Sequence, residues 1–330
     1  MEKSVYIIIL NWNGWRDTIE CLESIKSLKY QNYKLVIIEN GSTDSSFEKL
    51  LDWIRKNNLK INIINKDLFD NKKNINSEKY TLIKCSENLG FAKGANLGIQ
   101  YSINAKADYV WLLNNDTIVT KNSLQLLLNS FSINADYVGL TPKILMNDDP
   151  NLIWSIGCYF NWYGGLKRNL NQKKFLKTKG QTFPVSFITN CASIYPVKLF
   201  KEVGLLSEDI FMGEEDYDFS KRLDSLNYKL ACNQDSVIYH KVGQSTKSVK
   251  KIGSLYAEYS CRLITIKKFY SKPVWYLSVF LYGLTILKIS ILKNEYSIYQ
   301  GIKIIKLLLN SYSKNEFNKK NFFDALNIEI

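Results

Sequence analysis

The chain has no Cys-x-x-Cys pair. Its six cysteines (Cys21, Cys85, Cys158, Cys191, Cys232, Cys261) are scattered over 330 residues. That spacing argues against a zinc centre or a disulfide framework and for buried free thiols in a reducing compartment. There is one histidine, His240. No apolar run near Met1 is long enough for a secretory leader, and the short run Val5–Leu10 reads as a buried strand. No Gly-Lys-Ser/Thr follows the glycines at 90, 94 and 98, which excludes a Walker loop. Internal repeats and low-complexity linkers are missing too. What is present is a folded composition, 46% hydrophobic and 23% charged, long enough for one large α/β unit with an appendage.

The net charge of +13 is placed unevenly: residues 241–330 carry 15 Lys+Arg against 5 Asp+Glu. A basic tail points to a polyanionic neighbour. Here the charge sits among apolar helices rather than along a polar stripe, so no nucleic-acid partner is expected and an anionic membrane surface is. Pro273–Leu292 has one charge, Lys288, and is long enough to span a bilayer. Ser278, Thr285 and Ser290 dilute it, and Trp275, Tyr276 and Tyr282 favour an interface. Beyond it Ile298, Ile302, Ile305 and Leu309 share one helical face, with Lys303 and Lys306 off it. Residues 246–330 are therefore expected to form a basic amphipathic helical tail that lies on a membrane, packs on the body or builds a homo-oligomer.

Before the tail, apolar runs alternate with helical spacing. Val5–Leu10, Lys34–Ile38, Ile61–Ile64, Tyr80–Ile83 and Tyr109–Leu113 read as strands. Trp15–Leu28, Ser45–Arg55 and Gly90–Ile103 read as helices, with Asp44 in a capping position, and Lys66–Lys79 as a surface loop. Later, Gln181–Ile194, Tyr228–Cys232 and Ser236–Tyr239 suggest strands and Glu214–Leu226 a helix. This alternation predicts an α/β fold with a mixed, mostly parallel sheet, whose ligands lie beyond the carboxyl ends of the strands. Polar motifs stand at those ends: Asn11-Trp12-Asn13-Gly14, Glu39-Asn40-Gly41-Ser42-Thr43-Asp44, Asn88-Leu89-Gly90 and Asn114-Asn115-Asp116. Singly, each fits a turn with a helix cap.

Two features call for chemistry. Asp116 ends an apolar strand, where a carboxylate can hold a divalent cation that bridges a diphosphate; an Asx turn capping a helix near Asn122 explains it equally well. Glu214, Glu215, Asp216 and Asp218 place four acids within five positions. Such a cluster repels itself unless a metal, cation or proton intervenes, and Arg222 is one helical turn from Asp218. His240, at a strand end, suits a transition ion, although a lone histidine is more often structural.

Together these motifs, with NLGFAKGANLG at 88–98 and GEEDYDF at 213–219, resemble family 2 glycosyltransferases, especially the rhamnosyltransferase-like branch, from about Val5 to about Ser245. The resemblance implies a GT-A fold, a Rossmann-like αβα sandwich over residues 1–245, with a nucleotide-sugar half to about residue 120 and an acceptor half beyond. It implies an inverting enzyme that moves a sugar from a UDP- or dTDP-linked donor to a glycan or lipid-linked acceptor. It places Asn11 and Glu39 at the base and ribose, supported by Asn40 and Asp44, and puts Asn88, Gly90 and Lys93 on the donor side. Asn114-Asn115-Asp116 would replace the Asp-x-Asp metal motif, so that Asp116 and His240 hold Mg2+ or Mn2+. Asp216 would be the base, and Glu215 would help bind the acceptor. The implied location is cytoplasmic, peripheral on the inner face of the cell membrane. Two other readings stay open: a nucleotidyltransferase, which lacks its usual basic glycine-rich N-terminal loop here, and a non-catalytic glycan- or membrane-binding protein.

Overall fold

The structure, a computed structural model, describes residues 2–68, 78–168, 182–241, 251–293 and 296–327. In the first part strands and helices alternate: β1 (Val5–Asn11), α1 (Trp15–Lys26), β2 (Tyr33–Glu39), α2 (Ser46–Lys56), β3 (Ile61–Asn65), β4 (Tyr80–Lys84), α3 (Phe91–Asn104) and β5 (Tyr109–Asn114). β1 lies between β2 and β5, parallel to both. A parallel strand covered on both faces needs apolar residues at every position rather than at alternate ones, and Val5-Tyr6-Ile7-Ile8-Ile9 supplies them. The strand order β5-β1-β2-β4-β3 runs outward from β1 on one side and returns to β5 on the other. The cleft where such an order reverses, beyond the carboxyl ends of β1 and β5, is where ligands bind in sheets of this kind.

The second part makes the sheet mixed. It comprises β6 (Thr117–Val119), α4 (Ser123–Ile133), β7 (Tyr137–Met146), β8 (Ile153–Ser155), β9 (Cys158–Phe160), β10 (Leu166–Arg168), β11 (Thr182–Val185), β12 (Ala192–Pro196), α5 (Val197–Val203), α6 (Glu215–Ser225) and β13 (Lys229–His240). β12 is antiparallel to both β5 and β7, while β7 and β13 run parallel. Two expectations change here. The strand anticipated over 181–194 is two strands, and the break between them carries Thr189 and Cys191; Gln181 itself lies outside the described residues. The pair anticipated at 228–232 and 236–239 is the single strand β13. Polar Asn233-Gln234-Asp235, which separates the two runs in sequence, is a bulge in which Asn233 Oδ1 accepts the amides of Asp235 and Ser236, both at 2.9 Å.

Helices cover both faces. Leu22, Ile25, Leu50 and Leu124 of α1, α2 and α4 fill one side; Ile99, Phe200 and Phe219 of α3, α5 and α6 fill the other. α3 approaches β1 closely because its glycines carry no side chain: a Cβ at Gly98 would stand 2.6 Å from Ile8, and one at Gly94 2.7 Å from Leu10. The loop expected at 66–79 starts with a short 3-10 turn at Lys66–Leu68, and 69–77 lie outside the described residues. All six cysteines are buried and unbridged.

The tail contains α7 (Lys251–Phe269), α8 (Lys272–Lys293), α9 (Ile298–Leu309) and α10 (Lys319–Leu326). The expected tail begins at 246, and residues 242–250 lie outside the described residues. Leu263, Ile266, Ile286, Ile304 and Leu308 form an apolar cluster that also takes in Ile210 of the α/β body. Two of the three aromatics expected at an interface face inward. Trp275 is buried and donates its indole N–H to the Leu263 carbonyl at 3.0 Å, and Tyr282 stacks on Tyr259 with ring centroids 4.4 Å apart. In α9 the inward residues are Gly301, Ile304 and Leu308, so Ile298, Ile302 and Leu309 of the anticipated apolar face are left exposed.

Candidate functional site

The loops after β1, β2 and β4 are joined by their own side chains. Asn11 is fully buried; its Oδ1 accepts from the Thr18 hydroxyl at 2.8 Å and its Nδ2 donates to Ser42 Oγ at 3.1 Å. Glu39 Oε1 accepts the Ser42 amide at 2.9 Å. Asn40 donates to Asn88 Oδ1 and to the Gly90 carbonyl, both at 3.1 Å, and accepts the Leu89 amide. Gly90 stands at φ +84°, and a Cβ there would lie 2.1 Å from the Phe211 carbonyl, so no other residue fits without moving that loop. Asn88 Oδ1 accepts the Gly90 amide, while its buried Nδ2 has no partner. Asp44 is exposed and accepts the Ser46 amide at the start of α2, and Lys93 is exposed on the first turn of α3.

After β5 the three polar residues diverge. The Asn114 carbonyl accepts from the Thr117 hydroxyl at 2.7 Å. Asn115 donates to Thr18 Oγ1 at 3.0 Å and to the Gly14 carbonyl at 3.3 Å, so its side chain braces the β1 loop. Asp116 turns toward β13, where its Oδ1 stands 3.1 Å from His240 Nε2. That oxygen is buried without a hydrogen bond, as is His240 Nδ1, against which the Trp154 ring packs edge-on at 4.4 Å. A cap for α4, the alternative for Asp116, is not what this carboxylate does. The residues fit a small divalent ion: two neighbouring ligands of an octahedral ion with bonds of about 2.1 Å are roughly 3 Å apart. No cluster of three or more His, Cys, Asp or Glu suited to a metal exists among the described residues. An ion at this pair would therefore take its other oxygens from substrate or water.

The four clustered acids have unlike surroundings. Gly213 and Glu214 both have positive φ, +82° and +67°, in the tight turn that leads into α6. Glu214 is paired with Arg262 of α7, which reaches it through Nε and through Nη2 at 2.9 Å. Asp218 is held by Arg222 and by Lys268 of α7, both at 2.8 Å. Glu215 and Asp216 have no such cation among the described residues. Burial, and then the charge of Glu214, push the Asp216 carboxyl up to about 6, against a hydrogen bond from Thr189 and the more distant Arg262. Burial, and then Asp216, raise Glu215 well above the ordinary carboxylate range. Both line a cavity of about 850 Å³ together with Trp154, Tyr163, Thr189 and Tyr282.

Asp116 and His240 are not in that cavity's wall, yet they adjoin it. Trp154 belongs to the wall and packs on His240. Buried Cys191 is near enough to both acidic centres to feel them: its thiol is raised first by burial, then by Asp116 and by Asp216. Its carbonyl accepts the Asn114 amide at 2.9 Å. Thr189, Cys191, Trp154, Arg262 and Lys268 were not singled out from the sequence. Arg262 and Lys268 were counted only as part of a basic tail, and the other three lie in segments with no motif.

Comparison with known proteins gives a consistent result. Residues 6–204 match the family described as Glycosyl transferase family 2. The dTDP-rhamnosyl transferase RfbF of Shigella flexneri is 24% identical over 256 residues, which is 77% of this chain and 73% of that one. The poly-beta-1,6-N-acetyl-D-glucosamine synthase of Staphylococcus aureus is 26% identical over 156 residues, 46% of this chain and 32% of that one. Among solved structures, GalNAc-T7 with UDP, GalNAc and Mn2+ superposes with a TM-score of 0.61 at 16% identity, covering 94% of this chain and 58% of that one. The mannosyltransferase PcManGT of Pyrobaculum calidifontis, with GDP-Man and Mn2+, superposes with a TM-score of 0.56 at 12% identity, covering 98% and 88%. The expected GT-A architecture, with helices appended at the C-terminal end, is the fold of these two neighbours.

Proposed function

Since the chain belongs to glycosyl transferase family 2, we propose that it is an inverting transferase with Asp216 as its base, moving a sugar from a UDP- or dTDP-linked donor to a hydroxyl of a glycan or lipid-linked acceptor in surface polysaccharide assembly. The observation that carries this reading is the pair Glu215–Asp216, with no directly paired cation among the described residues, in a cavity whose wall residue Trp154 packs on His240 beside Asp116. The likeness to a dTDP-rhamnosyl transferase supports the donor class.

The chemistry follows from the two carboxyls. With its carboxyl at about 6, Asp216 is largely ionised at neutral pH yet more basic than a free aspartate. It takes the acceptor's hydroxyl proton while that oxygen bonds to the anomeric carbon and the bond to the diphosphate breaks. Glu215, raised well above the ordinary carboxylate range by burial and by Asp216, is favoured in its protonated form, which can donate a hydrogen bond to the acceptor. Thr189 holds Asp216 in place, and Arg262 anchors the turn that presents both. A divalent ion held by Asp116 and His240 would neutralise charge on the departing diphosphate. The donor loops, tied by Asn11, Asn40 and Asn88, supply a preformed bed for the nucleotide, with Glu39, Asp44, Gly90 and Lys93 at its edge.

A panel of nucleoside diphosphates, each with and without Mn2+, tests the donor and the ion together by thermal unfolding. UDP or dTDP is expected to raise Tm only when the ion is present, and His240→Ala to remove the ion's contribution. Equal stabilisation in excess chelator would take the metal out of the account.

The tail supports a location on the cytoplasmic face of an anionic membrane. The stretch Lys272–Ile291 is long and apolar enough to cross a bilayer, with only a third of it buried. Phe280 and Leu284 of α8 and Ile298 and Tyr299 of α9 are at least half exposed. Leu284 also lines the cavity of Glu215 and Asp216, so a lipid surface at this face would meet the acceptor site. The full chain is expected to sediment with phosphatidylglycerol vesicles at low salt and less with phosphatidylcholine ones. Equal recovery in the supernatant with both would remove this assignment.

A further inference from the structure

We propose a second binding site, for an anionic, hydroxyl-bearing molecule of sugar size, in the cavity around the ammonium group of Lys143. This cavity of about 640 Å³ is formed by β7 and β13 and rimmed by two turns. Lys143 pairs in register with Val237, and Leu145 with Tyr239, so these four side chains share one face of the sheet. The turn Thr120-Lys121-Asn122 closes one side and Pro150-Asn151 the other.

Lys143 is the reason to expect a ligand. It is only 8% exposed, and it makes no hydrogen bond or ion pair among the described residues. Asp235, the acid in the wall, is engaged elsewhere. The stem of Lys143 is almost wholly covered while its ammonium has no protein partner among the described residues, and an anion in the cavity would supply that partner. Exposed Lys121 adds a second positive charge at the rim. The amides of Asn122 and Asn151 and the phenol of Tyr239 can serve hydroxyls, so a phosphate or carboxylate on a small sugar matches the lining. The volume is within the range of ligand pockets, roughly 300–1,000 Å³.

The site is separate from the one that holds Asp216. Tyr239 and His240 are consecutive on a strand and point to opposite faces. The turn between β7 and β8 divides the two cavities, with Asn151 in the wall of one and Ile153 in the wall of the other. This site does not depend on the transferase reading.

Calorimetric titration of the full chain with inorganic phosphate, glucuronate and glucose tests it. At least one of the two anions is expected to bind saturably, while glucose produces no signal that depends on Lys143. Lys143→Met keeps the bulk and removes the charge, and should weaken the anion by about thirtyfold. Lys121→Glu changes only an exposed side chain and should weaken it by about tenfold, which keeps the test available if the core variant does not fold. Phosphate held at the donor loops would be unaffected by either substitution, so the difference between proteins reports this cavity. Absence of saturable binding by both anions, or the same affinity in wild type and in whichever variants fold, would overturn the proposal. Preference for phosphate over glucuronate, or the reverse, identifies the class of ligand.

Discussion

The loops proposed to hold the donor and the acids proposed to face the acceptor are built on opposite plans. In the first, Asn11, Glu39, Asn40 and Asn88 spend their polar atoms on one another's loops, so the bed proposed for the nucleotide is held together by the protein's own side chains. In the second, Glu215 and Asp216 have no directly paired cation among the described residues, and the cations that hold their neighbours come from far along the chain: Arg262 is 48 residues from Glu214, and Lys268 is 50 from Asp218. Binding calls for rigidity, which satisfied hydrogen bonds provide. Proton transfer calls for a carboxyl near neutrality, which needs burial and an incomplete set of partners.

Substitutions that separate the two sides sharpen this contrast. Asp216→Asn should have the largest effect, lowering transfer by roughly 10³-fold while nucleotide affinity, read by titration with UDP or dTDP, stays within about threefold. Loss of nucleotide binding in step with turnover would place Asp216 on the donor side and break the comparison. Arg262→Met should have a smaller effect on catalysis, about tenfold, because it frees the Gly213-Glu214 turn but removes no reacting group. The same change leaves the largely buried Glu214 carboxylate without its partner, so stability should fall by about 3 kcal/mol in denaturant unfolding. Unchanged turnover together with lowered stability would make the tail a packing element rather than a part of the acceptor site.

The sequence was most legible where structure is local. The β1, β2, β4 and β5 loops could be located because each polar motif follows a short apolar run, and the run and the motif together mark a strand end. The acid cluster was visible as a cluster, but not how it divides. Nothing near Glu214 or Asp218 shows that each is neutralised from α7, because a contact across 48 or 50 residues leaves no local pattern. The entry of β12 between β5 and β7 was hidden for the same reason, and with it Thr189 and Cys191, which bring the two acidic centres together. In the tail, composition described the charge and apolarity correctly but not their direction. Trp275 and Tyr282 face inward, and Phe280 and Leu284 face out.

The pH dependence of single-turnover transfer by the wild-type chain, with donor and divalent ion saturating, tests the role of Asp216 most directly. Below the carboxyl's value the base is protonated and idle, so the rate should fall about tenfold per unit under pH 6 and level off above it, with its midpoint near the value of about 6 set by burial and Glu214. A rate that stays flat between about pH 4.5 and 8 would contradict the account of Asp216 as a raised base, since the proton would then go to a group ionised throughout that range, as an ordinary aspartate is.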